Sequence, residues 1–152
     1  MPLSKQFRKL SGLLEKAIAI AVEAHRDQKD RFGSPYILHP LRVMSRVEDE
    51  MEKIVAVLHD VVEDTKWTFE DLKREGFSAD IRKALDCVTR REGESYDHFV
   101  GRSASNPVAR RVKLADLEDN MDVRRRKKIT QKDKKKLAQY LSAWHRLHDT
   151  KH

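Results

Sequence analysis

Apolar residues recur along this 152-residue chain at intervals of three and four, and only 5 glycines and 4 prolines interrupt them. Such spacing gathers residues on one face of a helix, whereas many short strands would need alternation and more turn residues. The chain therefore reads as all-α. Leu14, Ala17, Ile18, Ala21, Ala24 and His25 form a first helical face, which Asp30-Arg31-Phe32-Gly33-Ser34-Pro35 breaks as a loop. Pro40 fits the first turn of a short helix bearing Leu41, Val43, Met44 and Val47, and residues 54–62 read as one apolar helix. Thr68 with Asp71 makes a capping-box-like pair, with Gly76 near the end of that helix. Ser78 caps the next, with Ile81, Ala84, Leu85 and Val88 inward; Tyr96, Phe99 and Val100 mark another. Pro107 opens a helix holding Val108, Val112 and Ala115, and Thr130 caps the last, whose expected apolar stripe is Leu137, Tyr140, Leu141, Trp144 and His148.

The length is that of one domain, 1–152, able to bury roughly 68–70% of its unfolded surface. A single cysteine, Cys87, excludes a disulfide framework and a zinc site of several thiolates, and it reads as a small buried hydrophobe. No apolar run approaches a membrane span, and residues 1–8 have no apolar leader core, so the expectation is a soluble cytoplasmic protein without a membrane partner. The excess of positive charge is local. Nine basic residues and one acid, Asp133, occupy residues 124–136, a charge of +8, so the rest of the chain sums to −1 of the net +7. Such a patch suits nucleic acid, an anionic surface or a phosphorylated small ligand, and equally a solvated helix face.

His59-Asp60 is the most informative pair. An ionised aspartate within an apolar helix is costly unless paired or bound to metal. On a continuous helix His59 would face Glu63, and Asp60 would face Glu63 and Asp64. Three carboxylates and an imidazole on one side call for a cation, and mixed His and carboxylate donors suit Mn, Fe, Zn or Mg. His39, before Pro40, and Asp116, in the apolar stretch Val112-Lys113-Leu114-Ala115-Asp116, are further candidates. Taken singly, each reads equally as a cap, an ion-pair partner or a satisfied core residue.

Together, Tyr36-Ile37-Leu38-His39-Pro40, Leu58-His59-Asp60-Val61-Val62-Glu63-Asp64-Thr65 and Lys113-Leu114-Ala115-Asp116 resemble the HD-domain metal phosphohydrolases. Among these, the chain is most similar to the hydrolase half of RelA/SpoT-type alarmone enzymes and their small single-domain relatives, over residues 24–140 approximately. The resemblance implies a compact all-α HD-type bundle with His39, His59, Asp60 and Asp116 as metal ligands, manganese as the ion, and Glu63 and Asp64 as the acid/base pair. It implies hydrolysis of guanosine 3′,5′-bis(diphosphate), ppGpp or pppGpp, at the 3′ position with release of pyrophosphate. Asn120, Lys136 and Tyr140 would meet the nucleotide, and Lys113 and Arg31 the phosphates or base. Relatives are often homo-oligomers, although no interface is legible in this sequence.

Two places depart from that pattern. Asp30 stands beside Arg31 where relatives carry consecutive basic residues, and Glu118-Asp119 is acidic where relatives are more often apolar or aromatic. Both would disfavour a tetra-anionic ligand if they faced the pocket, and the sequence leaves their direction open. Nothing in the chain resembles a synthetase domain, so the expected activity is hydrolytic. The competing readings are an HD phosphohydrolase of another nucleotide or of NADPH, and, least favoured, a basic nucleic-acid-binding protein using residues 124–136.

Overall fold

A computed structural model of the protein describes residues 12–149. Residues 1–8, read above for a leader, lie outside the described residues. The elements are α1 (Leu13–Ala24), α2 (Leu38–Ser45), α3 (Glu50–Leu58), α4 (Val61–Asp64), α5 (Phe69–Arg74), α6 (Ala79–Cys87), α7 (Tyr96–Ala104), α8 (Pro107–Asn120), a 3-10 turn (Val123–Arg125) and α9 (Gln131–His148). Among the described residues the only strand-like pairing is an isolated bridge between Lys29 and Pro35. No helix among them is long and apolar enough to cross a membrane.

The helix starts follow the chemistry of their first residues. Thr68 and Thr130 each accept from the backbone N–H three residues on, and Asp71 and Asp133 return the bond, which makes two capping boxes. Asp49, Ser78, Ser95 and Asn106 cap α3, α6, α7 and α8 with a side-chain oxygen, and Pro107 occupies the first position of α8, where no N–H is needed. Gly76 takes a φ of +96° just past α5, a conformation that costs glycine little.

α3 lies at the centre, packed against α1, α2, α6 and α8. Ile54, Val55, Ala56, Val57 and Leu58 are all buried, so the second half of this helix is apolar all round, as a central segment must be. A smaller apolar cluster of Val100, Leu117, Ala143 and Leu147, flanked by Tyr96, Tyr140 and Trp144, joins α7, α8 and α9.

Three expectations change. The apolar helix over residues 54–62 is broken: α3 ends at Leu58 and α4 starts at Val61. The break has a local cause. The His59 Nδ1–H donates to the Ala56 carbonyl at 2.6 Å, the His59 amide reaches the same carbonyl at 3.4 Å, and Asp60 sits at ψ 0°. The imidazole thus competes with the helical ladder for one acceptor. On α9 the buried apolar positions are Ala143 and Leu147, with Tyr140 and Trp144 partly covered, while Leu141 is 50% exposed. Leu141 lies off the 140/143/144/147 face, and His148 is exposed and stacked on Trp144. Cys87 is half-buried at the end of α6, packed against the main core.

The connection from α6 to α7 is pinned by Glu94. Its carboxylate accepts from Arg102 Nε at 2.6 Å and Nη2 at 2.8 Å, and from the Arg91 amide at 3.1 Å. These bonds, the Arg102 pair foremost, hold the Glu94 carboxyl well below the usual carboxylate range. A depressed pKa stabilises the fold above the unfolded carboxylate range, and the effect is lost as pH falls through the folded value. Glu94→Gln should therefore lower the Tm at pH 7, and the gap to the parent protein should close as pH drops below about 4. In the core, Leu85→Ala should cost about 2–5 kcal/mol by denaturant titration.

Candidate active site

The break after α3 turns His59 and Asp60 toward the first turn of α2 and the middle of α8. His39 Nε2 stands 3.0 Å from Asp116 Oδ1 and 3.9 Å from Asp60 Oδ2. His59 Nε2 stands 3.1 Å from Asp60 Oδ2 and 3.4 Å from Asp116 Oδ1, and the two imidazole centroids are 5.2 Å apart. His39, His59, Asp60 and Asp116, predicted as a set, thus meet at one point. Glu63 and Asp64 lie on the outer side of Asp60, their carboxylate oxygens close enough to share a cation with it. The expected pairing of Glu63 with His59 gives way to a bond from the Arg90 amide to Glu63 at 2.7 Å.

The donor set fits a divalent ion. The His59 Nδ1–H is committed to the Ala56 carbonyl, so a neutral His59 presents a lone pair at Nε2. That nitrogen is buried and makes no hydrogen bond among the described residues, yet two carboxylates face it. A lone pair opposite carboxylate oxygens is repulsive unless a positive charge lies between them. Burial lowers the basicity of His59, but the facing Asp60 and Asp116 carboxylates outweigh it and hold its pKa well above normal. Burial acts in the opposite sense on Asp60, where the His59 charge prevails and lowers its pKa to about 2. Asp64 moves the other way, pushed up to about 6 by burial and by the charges of Asp60 and Glu63.

Neighbouring groups fix these donors. Tyr36 OH donates a short hydrogen bond to Asp60. The His25 ring packs on Tyr36 at 5.1 Å, and its Nδ1–H donates to Gln28 Oε1 at 2.8 Å. Asp116 receives Lys113 Nζ at 3.0 Å and Asn120 Nδ2 at 3.1 Å. Lys113 also stands 4.9 Å from the Phe99 ring centroid. Lys113 and Asn120, expected near the substrate, thus hold a floor carboxylate while lining the cleft. The sequence placed Tyr36 within a motif but gave it no role, because a tyrosine on a loop carries no sign of the acceptor it will meet.

The centre is the floor of a cleft of about 510 Å³. Arg31, Lys136 and Tyr140 line it, joined by Phe32 and Arg126. Arg31 and Arg126 both bond the buried Asp133 Oδ1, at 3.1 and 2.8 Å, so the one acid of the basic segment organises its arginines. The two departures also find their places. Glu118 accepts from Trp144 Nε1 at 3.0 Å, outside the cleft. Asp119 is fully buried behind His39. Asp30 lines the cleft, but its Oδ1 accepts from the Phe32 and Ser34 amides at 2.9 and 3.0 Å, which closes the loop turn.

A helical bundle that brings one histidine, a His-Asp pair and a distant aspartate to a single cleft is an HD-type domain. No family model matches the chain. It is 32% identical over 152 residues to a guanosine-3′,5′-bis(diphosphate) 3′-pyrophosphohydrolase of Aquifex aeolicus, covering 88% of this chain and 21% of that protein. It is 33% identical over 150 residues to a GTP pyrophosphokinase of Streptomyces coelicolor, covering 88% and 18%. This chain thus spans about a fifth of the length of the curated relatives it matches. A solved structure of a metazoan ortholog of SpoT, described as hydrolyzing ppGpp and playing a role in starvation responses, matches with a TM-score of 0.74 at 25% identity. That match covers 90% of this chain and 85% of that one. Over this span the chain is similar to the HD hydrolase domain of RelA/SpoT-type proteins.

Asp116 Oδ1 faces both histidines, so Asp116→Ala should weaken the binding of a divalent cation, read by calorimetric titration, by about 100-fold or more. Glu118→Ala, two residues on but outside the cleft, should leave it unchanged.

Proposed function

We propose that this chain is a single HD-type domain that hydrolyses guanosine tetra- or pentaphosphate at the 3′ position, using manganese held by His39, His59, Asp60 and Asp116. The observation that carries the proposal is the charge layout of one cleft, where a buried two-imidazole, two-carboxylate floor lies beneath a mouth bearing Arg31, Arg126 and Lys136. The floor suits a divalent cation and the mouth suits a polyphosphate. Relatives named for this reaction and for ppGpp hydrolysis support the choice of substrate.

A divalent ion in such a centre supplies Lewis acidity, drawing electrons from a phosphoryl oxygen and making water more acidic. The protein's own groups do the rest. Arg126, Arg31 and Lys136 draw the anionic nucleotide in and orient it, with Tyr140 beside it and Asn120 near the ribose. Asp64, less acidic than a free carboxyl, and Glu63 form the acid/base pair. The water oxygen bonds to the phosphorus on the 3′ oxygen, and that phosphorus–oxygen bond breaks. One proton passes to the Glu63–Asp64 pair and returns to the 3′ oxygen, leaving GDP or GTP and pyrophosphate. With a soluble nucleotide as the proposed substrate, we read the reaction as a cytoplasmic one.

The test is pyrophosphate release from guanosine tetraphosphate by metal-stripped protein, with and without Mn²⁺. Metal-dependent release, abolished by Asp60→Ala in a folded chain, is the expected result. Release without added metal, or undiminished in Asp60→Ala, would refute the assignment. GDP, AMP and NADPH run in parallel should turn over more slowly; preference for one of them would keep the reaction class and change the substrate.

A further inference from the structure

His39 and His59 face the centre with the same nitrogen but are backed differently. Behind His59 stands a neutral acceptor, the Ala56 carbonyl. Behind His39 stands a carboxylate, with Asp119 Oδ2 2.7 Å from His39 Nδ1. Asp119 lies on α8 three residues after Asp116, so the same helix face supplies a carboxylate to each nitrogen of one imidazole. Its side chain is fully buried. Arg42 Nε donates to its Oδ1 at 2.8 Å, and Arg46 and Arg125 lie 3.8 and 3.6 Å from its carboxylate. Arg125 Nη2 also donates to the Asp119 backbone carbonyl at 2.8 Å.

We infer that Asp119 is a positioning residue of the metal centre, which holds the proton of His39 on Nδ1 and makes its Nε2 the stronger of the two imidazole donors toward a divalent cation. A carboxylate can only accept, so the hydrogen in the Nδ1–Asp119 contact belongs to the ring. Asp116 Oδ1 faces Nε2 at 3.0 Å, and a cation held by both would take the place of a second ring proton, leaving Nε2 to offer it a lone pair. Negative charge behind the ring raises the electron density at that lone pair, an effect the Ala56 carbonyl gives more weakly to His59. Arg42, Arg46 and Arg125 surround the Asp119 carboxylate, so the loss of any one leaves two cations beside it. The same acid that looked unfavourable to an anionic ligand therefore serves the cation beneath it. This inference rests on the metal-centre reading of the floor.

The competing account makes Asp119 only an ion-pair hub that ties α2 to α8, and variants separate the two. Asp119→Asn is nearly isosteric and can still accept from Nδ1–H, but it lacks the charge; Mn²⁺ affinity by calorimetric titration of the whole chain should fall about 10-fold. Asp119→Ala should lose about 100-fold. Arg42→Ala removes the closest ion-pair partner while leaving the His39–Asp119 contact, and should bind Mn²⁺ within about twofold of the parent. With diamagnetic Zn²⁺ bound, long-range ¹H–¹⁵N spectra should show His39 protonated at Nδ1 in the parent protein. Should Asp119→Ala fail to fold, Asp119→Asn carries the test. Parent-like Mn²⁺ affinity in Asp119→Asn, or an equal loss in Arg42→Ala, would overturn the inference and leave the metal centre standing. Failure of the unchanged chain to bind Mn²⁺ or Zn²⁺ would overturn the metal centre itself.

Discussion

The fold is arranged around charge held where charge is expensive. Asp60 and Asp116 direct carboxylates into the junction of α3 and α8, beside the buried apolar run Ile54–Leu58 of α3. Leaving one such charge unpaired in an interior costs about 3–5 kcal/mol. Several elements around the junction contribute a partner for these carboxylates. Loop 28–36 brings the Tyr36 hydroxyl, α2 brings His39, the end of α3 brings His59, and α8 brings Lys113 and Asn120. The break between α3 and α4 belongs to the same arrangement. A continuous helix would carry Asp60 on along the apolar rod, whereas the bond from His59 to Ala56 ends the ladder and turns the pair toward α2 and α8.

Much of this was legible in the sequence because it depends on local rules. The capping box at Thr68, the cap at Thr130, the opening of α8 at Pro107 and the inward faces of α1 and α6 follow from residues within one turn of each other. His39, His59, Asp60 and Asp116 were recognisable because their flanking motifs occur together and in order; one polar residue in an apolar stretch would have signalled little.

What escaped the sequence depends on partners far along the chain. Tyr36 meets Asp60 across 24 positions, and Asp119 meets His39 across 80. No periodicity announces such pairs. Helical continuity over residues 54–62 was overestimated for a related reason. The apolar pattern persists through the break, and only the side chain of His59 competes for the Ala56 carbonyl. Leu141 was misjudged because a helix that packs through one narrow face leaves adjacent apolar positions in solvent, and only the placement of α7 and α8 tells which face is covered.

The distribution of acids decides how a cleft with an anionic floor can also attract an anion. Acidic residues in and around it are engaged by nearby donors. Asp30 is occupied by the amides of its own turn, Asp122 by Arg124, and Asp133 by Arg31, Arg126 and its own helix start. Asp119 is buried among arginines, and Glu118 is drawn out of the cleft by Trp144. Carboxylates satisfied at hydrogen-bonding distance project little field beyond a few ångströms, since each is matched by a neighbouring dipole or cation. Lys136, by contrast, is exposed at the mouth with no carboxylate bonded to it among the described residues. The acids that remain turned toward one another are those of the floor, where a divalent cation would complete the balance. Net charge therefore says little about this site; what matters is which acids are matched locally and which are left to face each other.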